Sequence, residues 1–280
     1  MNTLAYTRVG TGEPLVLLHA LGLSRSAWDP VLTALTDRFD VIAVDMPGFG
    51  DSPPLDPDLE PEPAALARSV AELLDELGLA APHVAGNSLG GWVAAELAGM
   101  RPVASLTLLS PAGMWSRETP SYCWISLRLT RLLVVRARPV VRRLVRRRWG
   151  RVLVLWQAVG HPTGMAPEHA VAVVDAIATS RGYDNTLRAT RRRRFQAGRP
   201  IDAPVTVAFG SRDRVLLRRA WRQVGELPPQ TLVAPLPGCG HVPMSDDPGA
   251  VAALLTCVSE RGPVSPGSSG RRPSRSDLPR

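Results

Sequence analysis

Ser88 lies in a glycine-rich run that is typical of a nucleophilic serine. The run reads GNSLGG at residues 86–91 and contains the pattern G-x-S-x-G. Glycine is needed on both sides because the backbone around such a serine is crowded and strained, while the turn holds the hydroxyl above a sheet at the start of a helix. Glycine-rich turns of this kind also bind phosphate groups. The apolar run before Ser88 and the helical pattern after it favour the nucleophile.

An aspartate and a histidine follow later in the chain, each in a loop-like stretch. A serine hydroxyl is a weak nucleophile unless a base takes its proton and a third group orients that base. Asp213 follows GSR at residues 210–212, and His241 lies in GCGHVP at residues 238–243. A loop aspartate often caps a helix, and a surface histidine is often simply solvated. Their positions directly after late apolar runs favour an acid and a base.

The elements that must position these residues alternate between short apolar runs and helical patterns. This alternation is typical of an α/β architecture with a mainly parallel sheet. Strands are predicted at residues 4–9, 14–19, 41–44, 83–86, 105–109, 205–209 and 231–235. Helices are predicted at residues 28–36, 63–77, 89–100, 215–225 and 247–259. Because the carboxyl ends of parallel strands converge on one crevice, Ser88, Asp213 and His241 are expected to meet there.

The alternation stops after residue 109 and resumes near residue 204. We therefore expect residues 114–200, called the cap segment below, to form an inserted helical cap between core parts at residues 1–113 and 201–260. Within it, a helix is predicted to begin at Pro139 and to end at Gly150. Residues 261–280 are rich in Gly, Pro, Ser and Arg without an apolar period, so a disordered tail is expected.

These motifs together resemble those of the α/β-hydrolase fold superfamily, of the single-chain type with a helical cap inserted after the sixth strand. The order serine, aspartate, histidine along the chain is the order of that family. Further marks are HALG at residues 19–22 and DMPGFGDS at residues 45–52, although Ala20 stands where a second glycine is usual. The resemblance covers residues 4–260 and implies a mainly parallel sheet flanked by helices.

The resemblance also assigns roles to individual residues. Ser88 would attack the substrate, His241 would act as the base, and Asp213 would complete the catalytic triad. The backbone N–H groups of Leu21 and Leu89 would form the oxyanion hole that stabilises the tetrahedral intermediate. This chemistry needs no cofactor and no metal ion.

The predicted function is hydrolysis of a carboxylic ester, or a related acyl bond, of a small to medium apolar substrate. Trp28, Met114 and Trp115 are the candidates for the wall of the substrate pocket, although aromatic side chains also serve simple packing. Ser88 disfavours the dehalogenase and epoxide-hydrolase branches of the family, which resemble this architecture but carry an aspartate at the same turn.

Two other functions stay open. A carbon–carbon bond hydrolase of aromatic-ring degradation often has a similar Gly-Asn-Ser turn, but it usually also has a glycine-rich loop that HALGL at residues 19–23 lacks. A non-catalytic binding protein of the same fold could bind nucleic acid through the four arginines at residues 191–194. The complete set of Ser88, Asp213 and His241 disfavours the second alternative, and no nucleic-acid partner is expected.

The charge of the chain is unevenly distributed. All 33 basic residues are arginine, and the net charge of the chain is +8. Eighteen arginines and four acidic residues lie between residues 115 and 200, so this part carries a net charge of +14. Between Arg117 and Arg151 the arginines are interleaved with apolar residues, as in segments that lie at a membrane surface. A solvated helix face is the simpler interpretation, and weak contact with an anionic membrane is the alternative.

Composition excludes several classes of protein. No run approaches the ~18 apolar residues of a membrane-spanning helix, and the first residues lack the pattern of a secretory signal. The chain contains three cysteines, which are too few and too scattered for a disulfide framework or a zinc site. A cytoplasmic enzyme is therefore expected.

Overall fold

The computed structural model describes residues 3–217 and 221–259. Within these residues, seven strands form one sheet in the order β1-β3-β2-β4-β5-β6-β7. The strands are β1 Tyr6–Val9, β2 Glu13–Leu18, β3 Phe39–Val44, β4 His83–Asn87, β5 Ser105–Leu109, β6 Val205–Gly210 and β7 Leu232–Leu236. β1 is antiparallel to β3, and every other neighbouring pair is parallel. The predicted fold class is confirmed.

Helices cover both faces of the sheet. They are α1 Asp29–Leu35, α2 Pro63–Glu76, α3 Leu89–Met100, α4 Ser121–Arg136, α5 Arg138–Val145, α6 Arg148–Leu155, α7 Pro167–Thr179, α8 Tyr183–Thr190 and α9 Pro248–Ser259. Successive residues of a strand point to opposite faces, so Val16 packs with α2 and α3 while Leu17 packs with α1 and α9. Burial on both faces explains why the central strands are almost continuously apolar. None of the helices in the described part of the chain is both long and apolar enough to span a bilayer.

Two predictions about the position of elements are wrong. The helical insertion from α4 to α8 follows the fifth strand, not a sixth, because the described chain before Glu13 contributes one short strand. The predicted helix at residues 215–225 is absent from 215–217 and 222–225. Asp213 Oδ1 instead accepts the N–H groups of Val215 and Leu216. Residues 218–220 and the predicted tail at 261–280 lie outside the described residues.

The predicted helix from Pro139 to Gly150 is two helices. α5 ends at Val145, and α6 begins at Arg148 after an extended Arg147. Gly150 lies inside α6, where a Cβ atom would collide with the carbonyl oxygen of Leu144. Glycine is therefore needed for the close approach of α6 to α5, and the prediction that it ends a helix is wrong.

The carboxylate of Asp246 joins the cap segment to the loop of His241. Its Oδ2 accepts the backbone N–H groups of Gly160 at 2.8 Å and Gly240 at 2.7 Å, and its Oδ1 accepts that of His161 at 2.7 Å. The Asp246 side chain is 1% exposed, so water does not replace these bonds. The carboxylate therefore fixes the cap segment against the end of the sheet.

We expect Asp246→Ala to destabilise the protein by at least about 2 kcal/mol, because an unpaired buried N–H group costs about 1–3 kcal/mol. Asp247→Ala is the matched control, since the neighbouring carboxylate accepts one exposed N–H group, that of Ala250, at 2.9 Å. Its loss should cost no more than about 1 kcal/mol. Urea unfolding of both variants checks the prediction, and equal losses of stability would contradict it.

Candidate active site

Ser88 occupies a strained turn between β4 and α3. Its φ of 54° and ψ of −113° lie in a region that residues with a side chain rarely adopt. Hydrogen bonds hold it there: its N–H donates to Leu109 O at 3.0 Å, and its carbonyl accepts from Trp92 N at 3.1 Å and Ala112 N at 2.9 Å. At Gly90, a Cβ atom would collide with the carbonyl oxygen of Leu18. The glycine therefore lets α3 begin directly against β2.

The structure brings Ser88, His241 and Asp213 into one hydrogen-bonded row. Ser88 Oγ lies 2.8 Å from His241 Nε2, and His241 Nδ1 lies 2.9 Å from Asp213 Oδ2. With the imidazole proton on Nδ1 donating to the carboxylate, Nε2 is free to accept the serine proton. All three side chains are buried. The row has the geometry needed to remove a proton from Ser88 and hold it on the imidazole.

The environment of Asp213 keeps its carboxyl group ionised. Burial alone would raise its pKa, but the charge and hydrogen bond of His241, with the N–H groups of Leu216 and Val215, lower the pKa to about 2. The carboxylate is therefore negative throughout the neutral range. A negative group beside Nδ1 stabilises the imidazolium that forms when Nε2 accepts a proton.

Asn87 holds the histidine loop in place. Its Nδ2 donates to His241 O at 2.8 Å and to Leu109 O at 3.0 Å, so one amide joins the ends of β4 and β5 to the histidine. Asn87 is fully buried. The sequence did not point to a hydrogen-bonding role for Asn87, and it indicated for Asp246 only a place at the start of the last helix. A polar side chain at the end of an apolar strand, directly before the serine, was the available signal for Asn87.

The predicted donors of the oxyanion hole border the serine. Leu21, Ser88, Leu89 and His241 line one cavity. Within the described part of the chain, neither Leu21 N nor Leu89 N donates a hydrogen bond to a protein acceptor. Leu89 is the first residue of α3, so its N–H also benefits from the positive end of the helix dipole. Both groups are available to stabilise a negative oxygen.

His19 orders the loop that carries Leu21. Its Nδ1 donates to Ala20 O at 2.8 Å, and its Nε2 accepts the N–H of Met46 at 3.1 Å. Burial lowers the pKa of His19, which agrees with a neutral ring that both donates and accepts. This residue shapes the loop but lies outside the hydrogen-bonded row of Ser88.

Two apolar cavities meet at Ser88. The larger measures about 100 Å³ and the smaller about 50 Å³. Leu21, Ser88, Leu127, Val215 and His241 border both. The larger continues along Val154, Met165, Val173, Ile177 and Tyr183, and the smaller along Trp92, Trp115, Thr119 and Leu187. Such walls fit apolar groups on either side of a reacting carbon, and the volumes are small beside the ~300–1,000 Å³ of drug-sized sites.

Only one of the three predicted pocket residues borders a cavity next to Ser88. Trp115 borders the smaller cavity, packs edge-to-face on Trp92 at 5.6 Å and donates through Nε1 to Arg193 O at 2.8 Å. Trp28 and Met114 border neither cavity, since both are buried in the hydrophobic core, Trp28 on the α1 face of the sheet and Met114 on the α3 face. The prediction that they line the pocket is wrong. Their large apolar side chains pack against the sheet.

A more open groove of about 600 Å³ lies at the opposite edge of the sheet. It is bordered by Glu13 and His83, which begin β2 and β4, and by Arg101. Ser88 and His241 follow the carboxyl ends of their strands, so this groove is remote from them.

The chain is similar to known hydrolases. The model of a family described as "Alpha/beta hydrolase family" matches residues 15–254. Epoxide hydrolase EphH of Mycobacterium tuberculosis is 32% identical over 203 residues, which cover 70% of this chain and 94% of that protein.

Solved structures share the fold. Esterase RhEst1 from Rhodococcus sp. ECU1013 superimposes with a TM-score of 0.72 at 24% identity, covering 92% of this chain and 94% of that chain. A thermophilic esterase from Thermogutta terrifontis gives a TM-score of 0.68 at 23% identity, covering 90% of this chain and 91% of that chain. With the match of the family model along most of its length, the chain is a hydrolase that belongs to the alpha/beta hydrolase family.

Proposed function

We propose that this hydrolase is a serine esterase that cleaves a carboxylic ester, or a related acyl bond, of a small to medium apolar substrate. The observation that supports the proposal is the row of Ser88, His241 and Asp213, with 2.8 Å and 2.9 Å between the joined atoms, at the junction of two apolar cavities. An ester has two groups on either side of its reacting carbonyl carbon. Two small apolar cavities suit such a substrate.

The proposed reaction begins when His241 Nε2 takes the proton of Ser88 as Oγ attacks the carbonyl carbon. The N–H groups of Leu21 and Leu89 stabilise the oxyanion, and loss of one such donor costs about 3 kcal/mol in comparable sites. The imidazolium, stabilised by Asp213, gives its proton to the leaving alcohol. His241 then activates a water that hydrolyses the acyl-enzyme.

The likeness to an epoxide hydrolase does not extend to the expected nucleophile. Epoxide hydrolases of this family carry an aspartate at the turn where this chain has Ser88. A carboxylate that opens an epoxide forms an ester, which water can hydrolyse. A serine hydroxyl would form an ether, which has no carbonyl carbon for water to attack. The serine therefore favours acyl transfer.

Hydrolysis of a carbon–carbon bond is the second candidate, because the run at residues 86–91 also fits that class. The stretch HALGL at residues 19–23 disfavours it, since it lacks the additional glycines expected there. The non-catalytic alternative is not retained, because the chain belongs to a family of hydrolases.

The proposal includes the division of the chain into a core and a cap. Core parts at residues 1–113 and 201–260 carry the three reacting side chains, and the cap segment covers them.

We expect Ser88→Ala and His241→Ala each to reduce hydrolysis of short nitrophenyl esters at least about 1,000-fold, because each removes a member of a catalytic unit. Ser88→Ala should also abolish labelling by a fluorophosphonate. Circular dichroism should show that both variants remain folded. Near-parental activity in either folded variant would contradict the proposal.

The larger cavity should set the accepted length of the substrate. Val154→Trp should fill it and reduce kcat/KM for butyrate and longer esters at least about 10-fold more than for acetate, because the volume that holds the longer chain is lost. Val152→Trp is the matched control, because Val152 lies on the exposed side of the same helix. An unchanged chain-length profile in Val154→Trp would contradict this role of the cavity.

Stability in acid should depend on Asp213. Its pKa is lowered to about 2 from 3.8, so the stabilisation by the carboxylate is complete above the ordinary pKa and is lost as the pH falls through about 2. A shift of this size corresponds to about 2 kcal/mol. The difference in unfolding free energy between the parent and Asp213→Asn should therefore shrink by that amount between pH 6 and pH 2. Urea unfolding measures it, and a constant difference would contradict the assignment.

A further inference from the structure

Helices α4 and α6 each have an apolar stripe that faces away from the protein. Leu127 of α4 and Val154 of α6 point inward and border the larger cavity. The opposite sides of the same helices carry large apolar side chains that are 47% to 62% exposed. These are Ile125, Leu129 and Leu133 of α4, Trp149 and Leu153 of α6, and Trp156 directly after α6.

The two stripes lie on the outer surface of the roof above Ser88. Both helices border the same cavity with their inner sides, so their outer sides face away from it. Gln157 Nε2 also donates to Ser126 Oγ at 2.7 Å, which holds the end of α6 beside α4. We call the two stripes together the roof face. Large exposed apolar patches mark sites of interaction.

Five exposed arginines lie close in sequence to the roof face: Arg136 at the end of α4, Arg143 on α5, Arg146 and Arg147 between α5 and α6, and Arg148 at the start of α6. None of the five forms an ion pair with any residue that the structure describes.

Two acidic residues of the cap segment are already bound by other arginines. Arg138 and Arg142 contact Asp175 at 2.9 Å and 3.4 Å, and Arg131 contacts Asp184 at 3.5 Å. The positive charge beside the roof face is therefore not compensated. The expected partner therefore has a negatively charged surface with an apolar layer directly below that surface.

We propose that the roof face docks on an anionic phospholipid bilayer. Leucine and tryptophan side chains enter the boundary between headgroups and acyl chains, and the five arginines contact the phosphates, as in interfacial amphipathic helices. A second copy of the chain fits less well, because a symmetric contact would bring two sets of unpaired arginines together. Nucleic acid would leave the apolar stripes in water.

Docking would bring the larger cavity to the lipid surface. Leu127 and Val154 border that cavity from the helices that carry the roof face. An apolar ester dissolved in the bilayer would then lie close to the cavity that holds Ser88. This substrate source rests on the proposed function, whereas docking itself does not.

Binding is best measured with the full-length Ser88→Ala protein, which removes turnover from the measurement. Cosedimentation with phosphatidylcholine vesicles, with and without phosphatidylglycerol, should show binding that requires phosphatidylglycerol and weakens as salt is raised. The triple variant Arg146→Gln, Arg147→Gln, Arg148→Gln should lower the partition coefficient about 100-fold, since each basic residue near an anionic surface contributes about a factor of five. The double variant Trp149→Ser, Leu153→Ser should weaken binding at low salt and at high salt.

Two control variants match these changes elsewhere in the chain. Arg271→Gln, Arg272→Gln, Arg275→Gln removes the same charge near the carboxyl terminus, and Leu232→Ser with Val233→Ser removes apolar groups that are 46% and 56% exposed on β7. Both controls should retain at least about one third of the parental binding, because neither changes the roof face.

Three results would overturn the proposal. One is the absence of binding to phosphatidylglycerol vesicles at low salt, and another is loss of binding in the controls with retention in the roof-face variants. The third is a protein that does not bind vesicles but forms a dimer in analytical ultracentrifugation, where the double variant Trp149→Ser, Leu153→Ser is a monomer. That result would identify a second copy of the chain as the occupant of the roof face. Hydrolysis of soluble nitrophenyl esters by the parent tests the esterase activity separately, so the two proposals can fail independently.

Discussion

The backbone strain at Ser88 is the constraint on which the site depends. A φ of 54° at a residue with a side chain is unfavourable by about 1–3 kcal/mol, and it persists because the surrounding structure determines it. The N–H of Ser88 bonds to the end of β5, and its carbonyl accepts bonds from both α3 and the loop after β5. The parallel sheet must form before these partners exist. The reactive geometry is thus a property of the assembled core.

The histidine loop is restrained from two directions. Asn87 binds the backbone carbonyl of His241 from the sheet, while Asp246 binds Gly240 and the cap segment from the other side. Neither side chain belongs to the row of Ser88, His241 and Asp213. Hydrogen bonds to backbone groups suffice here, because a peptide fixed on both sides leaves the imidazole few orientations in which it can reach both partners.

Sequence reasoning succeeded where a pattern depends on the backbone alone. Apolar runs located each of the seven strands. The signal was most direct for the five central strands, because a sheet buried on both faces needs nearly continuous apolar residues. The turn at Ser88 was recognisable because its crowding demands glycine. The direction in which a side chain points cannot be predicted in this way. Trp28 is of a residue type common in pockets, but its side chain lies in the hydrophobic core. Likewise, Gly150 fits the pattern of a helix end, but its role is to allow close contact with Leu144 of α5. The sequence did not predict that α5 ends before Gly150.

The carboxylate of Asp246 couples two backbone segments that lie far apart in the sequence. Because it binds Gly160 of the cap segment and Gly240 beside the histidine, displacement of one backbone pulls on the other. By thermodynamic linkage, whatever holds Gly160 in its observed position must also favour the observed position of Gly240, and whatever aligns the histidine loop must favour that of Gly160.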